Sequence, residues 1–271
     1  MVFFAVQNFK VAALKMSRVT GFSQVALWFV AAAFRKKTKS AETVRRRALS
    51  KTKKNIIAGK EICPLSAAEN RSLYLDCPFK TTHWIDPKKI SHGLYWSQNR
   101  GHLIVYDSVG RLYPFARHST SVFIRELILE KKHLEETTLY KAMSRGFARK
   151  VIISGKPVRI PLNTHDNMLL YLDKCQSLIS SIQAYGFEWS KDKNIGLTIT
   201  SEGEIAHFRC GHHRLAIAQA LGITKVPIDI ELVSAKFLVE RIPRRRLWSN
   251  SAMVRAVDEV LRDAVATLSQ G

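Results

Sequence analysis

Residues 205–222 read Ile205-Ala-His207-Phe-Arg209-Cys-Gly211-His-His-Arg214-Leu-Ala-Ile-Ala-Gln-Ala-Leu-Gly222, and this run sets the expected architecture. Ile205 to Arg209 is a short β-rich run, Gly211 breaks it, and His213 to Leu221 reads as a short helix closed by Gly222. Ala216, Ala218 and Ala220 keep that helix slim enough to lie close on a sheet, while Leu215 and Leu221 fill the gap. A strand that passes through a glycine turn into a helix suits anions. The first amides of a helix have no partner within it, point outward, and sit at the positive end of the helix dipole. Gly211 lets the backbone approach an oxygen closely, His212 and His213 add donors, and Arg214 can hold a phosphate through two parallel hydrogen bonds. An arginine opening a helix is unfavourable unless something anionic sits beside it.

Alternation along the strand puts Ile205, His207 and Arg209 on one side and Ala206, Phe208 and Cys210 on the other. Phe208 marks its side as the core, so His207 and Arg209 are expected on an open face, either extending the anion site or meeting water. A metal site drawn from His207, Cys210, His212 and His213 is disfavoured, because alternation sends Cys210 away from the histidines. Burial beside Phe208 would raise the thiol pKa of Cys210, which argues against a redox nucleophile.

Upstream of the hairpin, Met168, Tyr171, Leu172, Cys175, Leu178, Ile179, Ile182 and Tyr185 recur at intervals of three and four, one face of a helix that ends at Gly186. Gly196 to Thr200 then pairs with Ile205 to Arg209 across Ser201-Glu-Gly-Glu204, where Gly203 takes a positive φ. Val226-Pro-Ile-Asp-Ile230 is a further strand. Pro227 has no N–H to donate, so this strand begins there or lies at an edge.

Together these segments carry a family resemblance. Leu178-Ile-Ser-Ser-Ile-Gln-Ala-Tyr-Gly-Phe187, Ile195 to Thr200, the Gly-His-His-Arg turn with its Ala-rich helix, and Val226-Pro-Ile228 resemble, in this order, the ParB/sulfiredoxin superfamily. The resemblance implies an α/β (α+β) module over residues 156–233, with a small mixed sheet and helices. It also implies nucleotide binding: partition proteins of the superfamily bind CTP, sulfiredoxins use ATP, and a free-serine kinase uses ADP, commonly with Mg2+. Carried over, Gly211, His213 and Arg214 would be phosphate contacts, with His212 beside them and His207 and Arg209 as secondary candidates. Two departures from the superfamily pattern narrow the expected activity. His212 stands where sulfiredoxin has its reactive cysteine, and Ser234 to Gly271 is too short for the helix-turn-helix domain of partition proteins.

The rest of the chain is less legible. His102 to Tyr106 reads as a strand returning through Asp107–Gly110 to Arg111–Phe115, and apolar spacing between Ser121 and Arg149 predicts one or two helices. Ser66-Ala-Ala-Glu69 has capping-box spacing, and Trp84, Asp86 and Pro87 mark an extended approach to a turn. These features divide the chain into a basic extension (1–60), a mixed α/β region (61–155), the superfamily-like domain (156–233) and a C-terminal helical segment (234–271).

Apolar residues at 46% and charged residues at 24% describe a chain that folds rather than a disordered one. Net charge is +21, and residues 1–60 hold fourteen Lys and Arg against one acid, Glu42. Such a tail seeks polyanions, so residues 35–54 are expected to meet nucleic acid or an anionic membrane surface, as a linker or an exposed helix near Thr43 to Lys54. The apolar run Phe22 to Phe34 is shorter than the roughly 20 residues a spanning helix requires, so no transmembrane span is expected. A packed helix and a membrane-surface helix both remain open. A secretory signal is disfavoured because the chain opens with uncharged, apolar residues. Four well-separated cysteines fit a reducing compartment, hence the cytoplasm, with peripheral membrane contact as an option.

The function expected is binding of a nucleotide or a phosphorylated small molecule, as a small-molecule phosphotransferase or NTPase. The alternative is a non-catalytic nucleic-acid-binding protein that uses the basic tail with Arg241 and Arg244 to Arg246. Glu202, Glu204, Asp166 and Asp173 are candidate general bases by sequence proximity alone.

Overall fold

In the computed structural model, residues 24–59, 63, 65–66, 68–69, 72–73, 79–96, 104–105, 110–146, 150–152, 159–187 and 194–270 are described. The hairpin expected after Gly186 forms β7 (Ile195–Ile199) and β8 (Ile205–His207), joined by a turn in which Gly203 has φ +89°. Every residue of β7 is buried, as the uninterrupted apolar run IGLTI requires of a strand covered on both faces. β9 (Val226–Ser234) runs parallel to β7, with a bulge between Leu197 and Thr198. On its other side it receives β1 (Thr82–Ile85), antiparallel, and then β3 (Ile104–Val105), parallel. On the far side of the hairpin, β8 pairs in parallel with β2 (His92–Trp96), which pairs antiparallel with β4 (Gly110–Pro114). The result is a mixed seven-stranded sheet, so the α/β class is borne out. Segments 61–155 and 156–233 contribute strands to this one sheet, so the cut at 155/156 crosses continuous structure.

One strand expectation is met by the first of its two alternatives, and another changes. Val226-Pro227 does open β9, yet β9 lies inside the sheet with partners on both sides; Pro227 is tolerated there because it is only the second residue of the strand. The predicted hairpin of His102–Tyr106 with Arg111–Phe115 does not form. Residues 110–114 pair with His92–Trp96, while Ile104–Val105 pair with Val233–Ser234; the proposed turn at 107–109 lies outside the described residues. Gly93 permits the observed register, because Tyr113 lies opposite it with its ring in the space a Cβ would occupy. A second, two-stranded sheet joins β5 (Lys150–Ile152) to β6 (Arg159–Pro161).

Helices follow their predicted spacing more closely. α1 (Gln24–Ala58) is continuous, α2 (Ser119–Ile128) and α3 (Thr138–Ser144) occupy the predicted helical region, and α4 (His165–Tyr185) ends at Gly186 with φ +68°. α5 (His212–Ala220) follows the glycine turn, and α6 (Ala235–Arg241) and α7 (Asn250–Gln270) complete the chain. Thr164 caps α4 by accepting the Asn167 N–H, and Met168, Tyr171, Cys175 and Ile182 are its buried face.

α1 is neither a linker nor an exposed helix. Ala48, Leu49, Thr52, Asn55 and Ile56 are buried, at the spacing of one helical face, and the helix packs on α6, α7 and the turn Arg244–Leu247. Asn55 fixes the following chain by hydrogen bonding both the carbonyl and the N–H of Cys63. The Ser66 capping box forms: Glu69 accepts from the Ser66 N–H at 2.8 Å, and Lys51 binds the same carboxylate. Residues 22–23 of the predicted apolar segment, and the side chains of 24–34, lie outside what is described. Among the described residues no helix is long and apolar enough to cross a membrane.

Candidate functional site

The turn between β8 and α5 is built from backbone outward. Phe208 and Cys210 both bond to Gly196, so the chain stays on β7 for three residues beyond the end of β8. Arg209 then adopts φ +61° and Gly211 φ +86°. Glycine is needed at 211, since the conformation is left-handed and an added Cβ would press on the backbone and side chain of Ile195. Gly211 offers no side-chain cap, and the first turn of α5 holds no acid.

Each predicted site residue has a definite place. Arg214 is half-buried, and its Nη1 lies buried without a hydrogen-bond partner. Burial pulls its pKa below the ordinary arginine value, with the Cys210 thiol acting the other way. No ion pair from Arg214 to a carboxylate occurs among the described residues. His213 meets α4, where the hydroxyl of buried Tyr171 lies 2.7 Å from its Nε2. The His212 ring turns instead toward His207 and His118, at 4.0 and 4.7 Å between centroids.

His207 departs from the expected open face, whereas Arg209 is exposed but does not share the side of His207. His207 is 1% exposed, packed on Phe115 and His212. Alternation assigned its side correctly, but that side, shared with Ile205 and Leu197, is the main core; Phe208 belongs to a small second cluster with Leu232 and Leu94. Its Nε2 lies 2.8 Å from the Cys210 carbonyl oxygen, which only accepts, so Nε2 carries the proton and the buried Nδ1 is an unpartnered acceptor. Burial, reinforced by His212 and His118, holds its pKa well below the ordinary histidine value despite the Cys210 contact. Arg209 is exposed, and its guanidinium lies over the Phe208 ring at 5.3 Å. Alternation fails there because the strand ends at His207 and the left-handed residue reverses direction.

Cys210 is exposed rather than buried beside Phe208. Partial desolvation and, after it, the neighbouring Glu231 nonetheless raise its thiol pKa, so the conclusion against a ready thiolate stands. Glu231 reaches across Gly196 to this thiol; burial raises its carboxyl pKa, and Arg209 and Cys210 partly offset that. Glu202 and Glu204 sit in the turn between β7 and β8, at the opposite end of the hairpin from Gly211, and Asp166 and Asp173 lie exposed on α4. Among the described residues no group of three His, Cys, Asp or Glu side chains is placed to hold a metal ion.

Sequence reasoning missed His118, Ser121, Tyr171 and Glu231. His118-Ser-Thr-Ser121, directly before an apolar helical pattern, has the composition of a helix start and could have pointed to the first two. Glu231, an acid within an otherwise apolar strand, carried a signal of its own. In comparisons with known proteins, the chain matches no family model, no curated protein and no solved structure.

Proposed function

We propose that the chain binds the phosphate of a nucleotide or of a phosphorylated small molecule at the Gly211–Arg214 turn, through the first amides of α5 and the Arg214 guanidinium. One observation carries this reading: Arg214 Nη1 is buried and unpartnered in the first turn of a helix with no acid there. A desolvated guanidinium donor costs about 1–3 kcal/mol when unsatisfied, and an oxyanion removes that cost. The order of helix, strand pair, glycine turn, Ala-rich helix and Val-Pro strand supports placing the module with ParB/sulfiredoxin-like proteins. On that reading ATP, ADP or CTP with Mg2+ are the ligands to try, and phosphoryl transfer or NTP hydrolysis the reaction class. Thermal-shift measurements of the full chain against these nucleotides, with and without Mg2+, test it. Stabilisation that Arg214→Ala abolishes supports it; no stabilisation by any of them refutes it.

A second reading has its own observation. Exposed Arg46, Arg47 and Lys54 belong to a helix that packs on the turn bearing exposed Arg244 and Arg245, so two basic segments distant in sequence adjoin. Nucleic-acid binding through this surface predicts salt-sensitive retention on an oligonucleotide that survives Arg214→Ala.

A further inference from the structure

We infer that the partner of the basic surface is a single-stranded nucleic acid, one base of which stacks on the Trp248 indole; this rests on the nucleic-acid reading of that surface. Trp248 is 74% exposed, although the backbone is held on both sides of it. Before it, the Arg246 N–H donates to the Pro243 carbonyl and Leu247 is buried, which closes the turn Arg244–Leu247. After it, Ser249 caps α7: its carbonyl accepts the Met253 N–H and its hydroxyl accepts the Ala252 N–H. An apolar residue just before such a cap ordinarily packs on the fourth residue of the helix, here Met253. Met253 is fully buried, yet the indole stays in water, so that structural role does not account for it. Among the described residues no cation lies over the Trp248 ring.

The indole stands in a basic setting. Arg244, Arg245 and Arg246 precede it and are exposed, and their turn packs on α1, which exposes Arg46, Arg47 and Lys54. Glu259 holds Arg246 and Glu42 holds Arg46, whereas Arg47, Lys54, Arg244 and Arg245 have no ion pair among the described residues. A duplex satisfies these cations with phosphates but keeps its base faces stacked inside, so it leaves the indole without a partner. A single strand brings phosphates and open base faces together, and every base has a face that stacks on an aromatic ring. An anionic bilayer would also attract these cations, but binding there grows with the apolar area buried. Among the described residues of α1, α7 and the turn, Trp248 is the one exposed large apolar side chain. A lone indole beside arginines therefore suits a base rather than a lipid surface.

Fluorescence anisotropy of the full chain with labelled oligothymidylate and with a DNA duplex of the same length tests this, beside cosedimentation with phosphatidylserine vesicles. Trp248→Ala should weaken oligothymidylate binding about tenfold, the worth of one base stacked on an aromatic ring. The same variant should leave duplex binding and the salt dependence unchanged, which also shows that it is folded. Trp248→Tyr, which keeps a ring, should retain most of the single-strand affinity. Arg244→Ala combined with Arg245→Ala should weaken both forms and lower the salt slope by about two. Oligothymidylate should also quench tryptophan emission in the parent and not in Trp248→Tyr, which decides the matter without the alanine variant. Equal losses for both forms in Trp248→Ala, no loss for either, or binding of the duplex alone overturn the single-strand proposal and leave the nucleic-acid reading standing. Vesicle binding without oligonucleotide binding, or no binding at all, overturns both.

Discussion

His207 and Cys210 are joined by a hydrogen bond of 2.8 Å from the imidazole Nε2 to the carbonyl oxygen, and this bond fixes the backbone that leads into Gly211. The carbonyl also accepts the Gly196 N–H, so the turn is tied to both β7 and β8. His207 acts through the turn as a positioning residue. His207→Ala should cost about 2–4 kcal/mol in urea denaturation, through a lost hydrogen bond and the cavity left beside Phe115. Phosphate affinity should fall with it. A variant as stable as the parent would show that the bond does not hold the turn.

The same residue sets a pH dependence. Burial disfavours the charged imidazole in the folded protein, so the folded pKa lies well below the ordinary value of about 6.5. The unfolded chain takes up a proton near that ordinary value and the folded chain does not. Stability is therefore intact above about pH 6.5 and is lost as pH falls from there toward the folded pKa. Urea midpoints should drop between about pH 7.5 and pH 5, and His207→Phe should flatten part of that drop.

Arg214 offers a contrast between stability and binding. Its unpartnered, desolvated donor is a cost in the free protein, so Arg214→Met should raise ligand-free stability by about 1 kcal/mol, or about 2–4 °C in melting temperature. The nucleotide-induced shift should vanish in the same variant. A loss of ligand-free stability would indicate a structural partner for the guanidinium.

Gly211→Ala should cost about 1–3 kcal/mol, because φ +86° is left-handed and the new methyl meets Ile195. Denaturant midpoints measured beside Gly186→Ala separate the two causes, since Gly186 shares a positive φ but has open space at its Cβ position.

α1 belongs to the folded body, and its two faces should respond differently. Ile56→Ala removes a fully buried side chain and is expected to cost about 2–5 kcal/mol. Arg46→Ala breaks only an exposed pair with Glu42 and should change stability by less than about 0.5 kcal/mol. Equal small effects from both would place the helix apart from the core.

Local chemistry was written plainly in the sequence. The apolar spacing on α4, the alternation through β8 and the glycines at 186, 203, 211 and 222 identify elements and turns, and all four glycines have positive φ. These features depend on neighbours within a few residues, where backbone sterics and helical or strand period act directly. Tertiary packing alone settled which strands pair and which side of each strand is covered. Residues 92–96 found 110–114, and Ile104–Val105 found the end of β9, because register depends on partners far along the chain. A period of two told which residues share a side with His207 but not that Phe115 and α5 would close over that side. The candidate site divides in the same way: Gly211 and Arg214 were legible from the turn, whereas His118 came beside His212 only when α2 packed against α5.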